Sequence, residues 1–239
     1  MLVLALGVIA STSWAAAPKS PEQKISYTLG FRVDSDIKAK GIKVEADSFT
    51  QGFKDAQGGV SPQMSDEEMQ QALQNLTRDL QAKEMAKIKA LADKNQAEGK
   101  NFLDDNKAKE GVKTLASGLQ YKVITIGQGK TPKQTDTVTV NYQGRLVDGT
   151  VFDNSLQRGE PVTFPLDGII KGWQEALQLM KEGDKWEIYV PSELAFGPQG
   201  AGGLISPNAM LIFNLELVKV APAAGKSAAK DKPIKKEAK

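Results

Sequence analysis

Two hydrophobic rhythms run along the chain and meet near Gly111. Before it, apolar residues recur every three or four positions, which lines one face of an α-helix. After it they alternate with polar residues, as in a half-buried strand. Pro21 opens a segment that continues to Gly41. Ile25, Leu29, Val33 and Ile37 form a helical stripe there, while Tyr27, Leu29, Phe31 and Val33 alternate as a strand would. Length favours the helix, because strands average only about 5–6 residues. Asp47 to Gln57 reads as a second helix, stopped by Gly58-Gly59. A third begins at Ser65, which forms a capping box with Glu68: hydroxyl and carboxylate each take an orphan amide at the helix start. Met69, Leu73, Leu76 and Leu80 follow on one face, and Met85, Ile88 and Leu91 extend the stripe less regularly. No proline interrupts the run before Gly111, so the helix would be roughly 65–70 Å long at about 1.5 Å per residue. Its apolar half, 69–91, needs a partner surface. An intrachain bundle is one answer, but three such unequal helices close poorly, and a second copy of the chain is preferred. The polar half, 92–101, is expected to cross solvent between domains. Gly99 is its weakest point and a candidate bend.

Beyond Gly111 the alternating sets are Leu119, Tyr121 and Val123; Val138, Val140 and Tyr142; Trp186, Ile188 and Val190; and Leu211, Phe213, Leu215 and Leu217. They predict an antiparallel sheet. Asp148-Gly149 is a hairpin signal, and Trp173 to Met180 is one short helix among strands. The fold class is therefore α+β: an all-helical N-terminal arm with a long linking helix, then an antiparallel sheet with one helix on its face.

The termini differ from both halves. Leu2 to Ala10 is apolar, and Ser11 to Ala17 supplies small-x-small cleavage sites, the pattern of a secretory signal. The run is about half the length of a membrane span, so no transmembrane anchor is expected. No basic residue precedes Leu2, which places the true start upstream in this reading. Residues 221–239 carry six Lys against Asp231 and Glu237, and read as a disordered tail. The expected organisation is a signal peptide at 1–17, a helical dimerisation and linker region at 18–111, a sheet domain at 112–219, and a tail at 220–239.

Composition then removes whole classes of chemistry. The chain has no Cys and no His, which excludes disulfides, thiolate or imidazole metal sites, catalytic triads and imidazole acid–base catalysis. A net charge of +2 argues against nucleic acid as a partner. Gly127-Gln128-Gly129-Lys130-Thr131 lacks the spacing of a phosphate loop, and Asp104-Asp105 lacks a calcium-loop pattern and reads as solvated helix surface. What stands out is an aromatic set: Tyr142, Phe152, Phe164, Trp173, Phe196 and Phe213. By composition alone it would be plain core.

Val140-Asn141-Tyr142-Gln143-Gly144, Asp148 to Ser155, Ile169-Ile170-Lys171-Gly172-Trp173, Leu194-Ala195-Phe196-Gly197 and Leu211 to Leu217 resemble, in order and spacing, the signature of FKBP-type peptidyl-prolyl cis-trans isomerases. The helical region resembles the exported, dimeric bacterial subgroup that includes the macrophage infectivity potentiators and FkpA chaperones. The resemblance implies an antiparallel half-barrel sheet wrapped around one short helix, with an apolar pocket between them. It places catalytic roles on Tyr142, Phe152, Asp153, Ile170, Trp173, Phe196 and Phe213, and substrate-binding roles on Arg158, Ile169, Leu204 and Ile205. Trp173 would form the floor, the Ile170 amide would donate to a substrate carbonyl, and Asp153 would hydrogen-bond near the mouth. Phe196 stands where the family usually has Tyr, Ala201 where a bulky residue is common, and Ser206 in place of one residue of a Pro-Pro pair.

The chemistry is consistent with the missing residue types. Rotating a peptide bond costs about 18–20 kcal/mol in lost resonance. Cis and trans X–Pro differ by only about 0.5–1 kcal/mol, so the obstacle is kinetic and no proton need move. The expectation is an isomerase acting on proline-containing unfolded polypeptides, with chaperone activity and no cofactor or metal. It would be a homodimer through the N-terminal helices, bind macrolide inhibitors of the FKBP class, and reside in the periplasm or at the outer-membrane surface of a Gram-negative bacterium. The alternative is a non-catalytic holdase or surface-binding protein with a vestigial pocket.

Overall fold

The computed structural model describes residues 17–222. The signal segment, but for Ala17, and the tail from 223 onward lie outside the described residues. The chain separates into two compact units, one up to Lys83 and one from Glu84.

In the first unit, helix α1 (Pro21–Ala39) starts with a capping box between Ser20 and Gln23 and with Pro at its first turn. The helical reading of this segment therefore holds over the strand reading. Helix α2 (Ala46–Gln57) is capped by the Glu45 carboxylate, which accepts the Asp47 and Ser48 amides. Neither helix buries a single residue. Both apolar sets on α1 lie open except for the half-buried Ile37, with Leu29 61% and Phe31 64% exposed, and Phe53 of α2 is equally bare. Helix α3 (Asp66–Asn106) begins at the expected capping box: the Glu68 amide donates to Ser65 Oγ at 3.2 Å and the Ser65 amide to Glu68 Oε2 at 2.9 Å. Leu73, Met85, Ile88 and Leu91 are exposed along it.

The second unit holds the sheet. Its strands are β1 (Val112–Thr114), β2 (Gln120–Thr125), β3 (Thr137–Arg145), β4 (Val151–Asn154), β5 (Val162–Pro165), β6 (Lys185–Val190) and β7 (Leu211–Ala221). They pair antiparallel in the order β1-β2-β6-β7-β3-β4, and β5 joins the free side of β3. The Asp148-Gly149 hairpin forms as expected, with Gly149 at φ 88°. The short helix α4 (Lys171–Leu177) packs Trp173, Ala176 and Leu177 against the sheet, in one core with Leu119, Val138, Val140, Leu166, Ile188, Val190, Leu211, Leu215 and Leu217. Val138 pairs with Val220, which is buried, so β7 runs to Ala221 and the tail expected from 220 starts later.

A second, smaller core lies on the opposite face of the sheet. Tyr189, Met210 and Ile212 are buried there beneath Phe102 and Leu103 of α3, with Val112 and Val147 alongside. This corrects the expectation that 92–101 crosses solvent. Asn106 is fully buried, donating to Gln120 Oε1 at 3.0 Å, while Gln120 Nε2 donates to the Leu103 carbonyl at 2.8 Å. Gly99 is buried inside a continuous helix, where a Cβ would lie 3.2 Å from Met210 Cβ. The segment docks through a missing side chain and through amides, which hydropathy does not register. Asp104 fits its reading as solvated surface, paired with Lys100 and Lys107 and lowered to about 2 by those hydrogen bonds.

Candidate functional site

The site begins at a gap in a strand ladder. Strand β3 pairs with β5 over 137–140 and with β4 over 143–145, leaving its middle without a strand partner on that side. Ser155, fully buried, fills the gap. Its Oγ accepts the Tyr142 amide at 2.8 Å and donates to the Tyr142 carbonyl at 3.2 Å. The backbone is thereby satisfied while the strands part. Tyr142 turns its side chain to the same face as Val138 and Val140, and there meets α4.

Trp173 stands in the first turn of α4 and is 4% exposed. Three rings meet it edge-on: Tyr142 at 5.0 Å, Phe213 at 5.1 Å and Phe164 at 6.1 Å between centroids. Phe152 meets Phe213 perpendicularly at 5.7 Å. Such edge-to-face pairs set positive ring edges on negative faces and hold the walls at fixed angles. Gly144 makes room for two of them. A Cβ at this position would lie 2.6 Å from Phe152 Cζ and 2.8 Å from Phe213 Cε1. Ile170 caps α4 with its carbonyl, accepting the Trp173 and Gln174 amides at 3.0 and 3.1 Å. Its own amide has no acceptor among the described residues. The Trp173 indole N–H is likewise buried without a partner.

The polar groups at this site are closed on one another. The Tyr142 hydroxyl donates to Asp153 Oδ2 at 2.5 Å, and Arg158 donates to Asp153 Oδ1 at 2.5 Å and to Tyr142 Oη at 2.8 Å. The guanidinium also stands 5.6 Å from the Tyr142 ring centre. Burial pushes the Asp153 carboxyl up, but the hydrogen bonds from Tyr142 and Arg158 outweigh it and hold it below its ordinary value. Burial first, and Asp153 next, raise the Tyr142 hydroxyl above its usual range. The trio therefore stays as carboxylate, guanidinium and neutral phenol across the neutral range, with the phenol proton committed to Asp153.

Tyr142, Phe152, Ile169, Ile170, Trp173, Ile205 and Phe213 pack in one cluster, and Asp153 and Arg158 join it through hydrogen bonds. Phe196 and Leu204 sit on the loop between β6 and β7, 38% and 59% exposed, outside that cluster. Phe164, Gly144 and Ser155 adjoin this cluster although no role was expected of them; Phe164 stood in the aromatic set, and Gly144 and Ser155 stood inside the signature motifs without a role of their own. The arrangement offers apolar walls and, among the described residues, an Ile170 backbone amide without an acceptor. Among the described residues, no cluster of His, Cys, Asp and Glu could hold a metal ion, and no helix is long and apolar enough to cross a membrane.

Comparison with known proteins covers both units. The family model for FKBP-type peptidyl-prolyl cis-trans isomerase matches residues 128–218, and that for the domain amino-terminal to it matches residues 22–123. The chain is 48% identical to the peptidyl-prolyl cis-trans isomerase Mip of Coxiella burnetii, over 89% of this chain and 93% of that protein. It is 42% identical to the outer membrane protein MIP of Legionella longbeachae, over 92% and 96%. The crystal structure of FkpA from Escherichia coli superposes with a TM-score of 0.75 at 41% identity, covering 87% of this chain and all of that one.

Proposed function

The chain belongs to the FKBP-type peptidyl-prolyl cis-trans isomerases, and from that premise we propose that the Trp173 pocket is its catalytic surface and that it works as an exported homodimer on unfolded polypeptides. The protein is an enzyme that accelerates rotation about X–Pro bonds. The observation that carries the site assignment is the aromatic enclosure of Trp173 beside an Ile170 amide that has no acceptor among the described residues.

The pocket's physics suits this reaction. The planar imide is more polar than the twisted one, because resonance separates charge. Walls of Tyr142, Phe152, Trp173 and Phe213 solvate the planar form poorly and the twisted form well, which is stronger binding of the transition state than of the ground state. The Ile170 amide, at the mouth of α4, would hold a carbonyl of the bound peptide while the prolyl ring sits over Trp173. Asp153, held in place by Tyr142 and Arg158, would line the entrance; Ile169, Leu204, Ile205 and Phe196 would flank it. No step moves a proton, which agrees with the absence of His and Cys.

Homodimerisation rests on the bare apolar faces of α1, α2 and the first part of α3. Two pockets on one dimer would hold an unfolded chain at two points, which raises effective concentration and underlies a chaperone role. Export to the periplasm or outer surface is supported by the apolar segment 2–10 and by the name of the Legionella relative. Macrolide binding follows from the family's pocket chemistry. The test is exchange NMR on a short peptide with one X–Pro bond. The chain should speed exchange between cis and trans signals, and a macrolide of the FKBP class should abolish the effect. Exchange that persists with the pocket saturated would move catalysis elsewhere.

A further inference from the structure

The loop between β6 and β7 is rich in glycine, and Gly197, Gly200, Gly202 and Gly203 all take positive φ. Such a segment has little intrinsic stiffness, so its shape depends on where it is tied. Most of its ties are internal. Ala201 and Ile205 exchange backbone hydrogen bonds of 2.8 and 3.0 Å across the tip, and the Asn208 amide donates to the Gly197 carbonyl at 2.9 Å across the neck. A further tie comes from a remote element. Asn95 of α3 donates from Nδ2 to the Pro207 carbonyl at 2.8 Å, across 112 positions of sequence. That carbonyl belongs to the peptide leading into Asn208, a non-glycine residue at φ 55°. Holding it fixes the peptide plane at which the loop turns back into β7. One turn further along α3, Gly99 presses on Met210, the last residue before the strand.

The loop reaches the pocket through Ile205, which is buried in the same cluster as Trp173 and Tyr142, with Leu204 exposed beside it. We propose that Asn95 is a positioning residue for the isomerase pocket: by holding the Pro207 carbonyl it sets the 196–207 wall, and with it the affinity for residues flanking the proline. The proposal rests on the Trp173 pocket being the catalytic surface. It places the determinant on a helix that supplies no pocket residue. A rigid support acts here as it does under other sites, where small displacements of a wall weaken binding before they alter chemistry.

The test uses the full chain and a series of short peptides differing in the residue before proline. kcat and KM are measured for wild type, Asn95→Ala, Asn95→Asp and Asn106→Ala. The aspartate keeps the size of the side chain but sets an acceptor against an acceptor. Asn106 is buried on the same helix and donates to Gln120, away from the loop. Both Asn95 variants should raise KM roughly three- to tenfold, the scale of one lost hydrogen bond. Their kcat should stay within about twofold of wild type, and the ranking among peptides should flatten. The Ala201 and Ile205 amides should exchange hydrogen faster in both. Asn106→Ala should lower the melting temperature and leave KM alone. Unchanged KM in both Asn95 variants, or an equal rise in Asn106→Ala, would overturn the positioning role while leaving catalysis assigned. A wild-type chain that left exchange at its uncatalysed rate would overturn the isomerase reading itself, and the proposal with it.

Discussion

Gly144 shows how a residue without a side chain can shape the aromatic cluster. It has no side chain, yet the Phe152 and Phe213 rings occupy the space a Cβ would need. Gly144→Ala should therefore push both rings, lowering stability by about 1–3 kcal/mol as overpacking does. Turnover on short peptides should fall further than the change in melting temperature accounts for; equal effects would make the glycine merely structural. Phe196 poses the opposite case, being partly in solvent. Phe196→Tyr should leave the melting temperature unchanged, and should tighten macrolide binding roughly two- to tenfold if the ring faces the ligand. Titration that shows no tightening would remove Phe196 from the pocket. The ionisable trio yields a pH prediction. Asp153 sits below its reference of 3.8, and Tyr142 above its reference of 10.0. A lowered carboxylate contributes fully above the unfolded value, and its contribution is lost only as pH falls through the folded one. kcat/KM by exchange NMR should thus be flat from about pH 5 to about pH 9, and an inflection near neutrality would mean an unassigned titrating group takes part. The aromatic residues and Asp153 were legible through their motifs. Gly144 and Ser155 lay inside the same motifs, but their jobs were not legible, because the clash and the ladder gap they resolve exist only once three strands have assembled.

At the scale of elements, most of the architecture could be read from periodicity. The Ser65–Glu68 capping box, the alternating strands and the Asp148-Gly149 turn each have a local physical cause, and each stands where it was expected. The last turns of α3 defeated the same reasoning. Their docking depends on Asn95, Gly99 and Asn106, residues that score as polar or empty in any hydropathy pattern, while Phe102 and Leu103 alone make too short a stripe. This changes what a minimal fragment should contain. A piece spanning 112–222 leaves Tyr189, Met210 and Ile212 uncovered, whereas one spanning 90–222 keeps their cover. Urea melts should find the shorter piece less stable by about 2–5 kcal/mol, the scale of stripping a few large side chains of their packing. Identical midpoints would mean that the helix rests on the sheet without stabilising it.

For the molecule as a whole, the first unit is what a solitary chain would not leave bare. Phe31 and Leu73 are each more than 60% exposed, on helices that bury almost nothing within the chain. On the dimer proposed above, the wild-type chain should sediment as two copies and the double variant (Phe31→Lys with Leu73→Lys) as one. Turnover of short peptides should not change, since every pocket residue lies beyond Glu84. Acceleration of a proline-limited refolding reaction should drop several-fold, as two-point holding is lost. A double variant that sediments unchanged would place the dimer surface elsewhere. The stripe itself was evident in the sequence, but whether it closed within one chain or against another was not, because periodicity identifies a face and not its occupant.

The positions of the tryptophans carry an optical consequence. Of the three, Trp14 falls in the segment read as cleaved on export, and Trp173 and Trp186 both stand in the sheet unit, buried, with their indole N–H groups unpartnered. The mature protein's tryptophan emission, excited selectively over tyrosine, would then come entirely from that unit, and α1, α2 and α3 would contribute none of it. This emission would follow ligand entry at Trp173 and the loss of the sheet's core, while far-ultraviolet dichroism would be dominated by helices that it never sees. Discordant melting curves from the two probes would then report two units coming apart separately, not an intermediate within either.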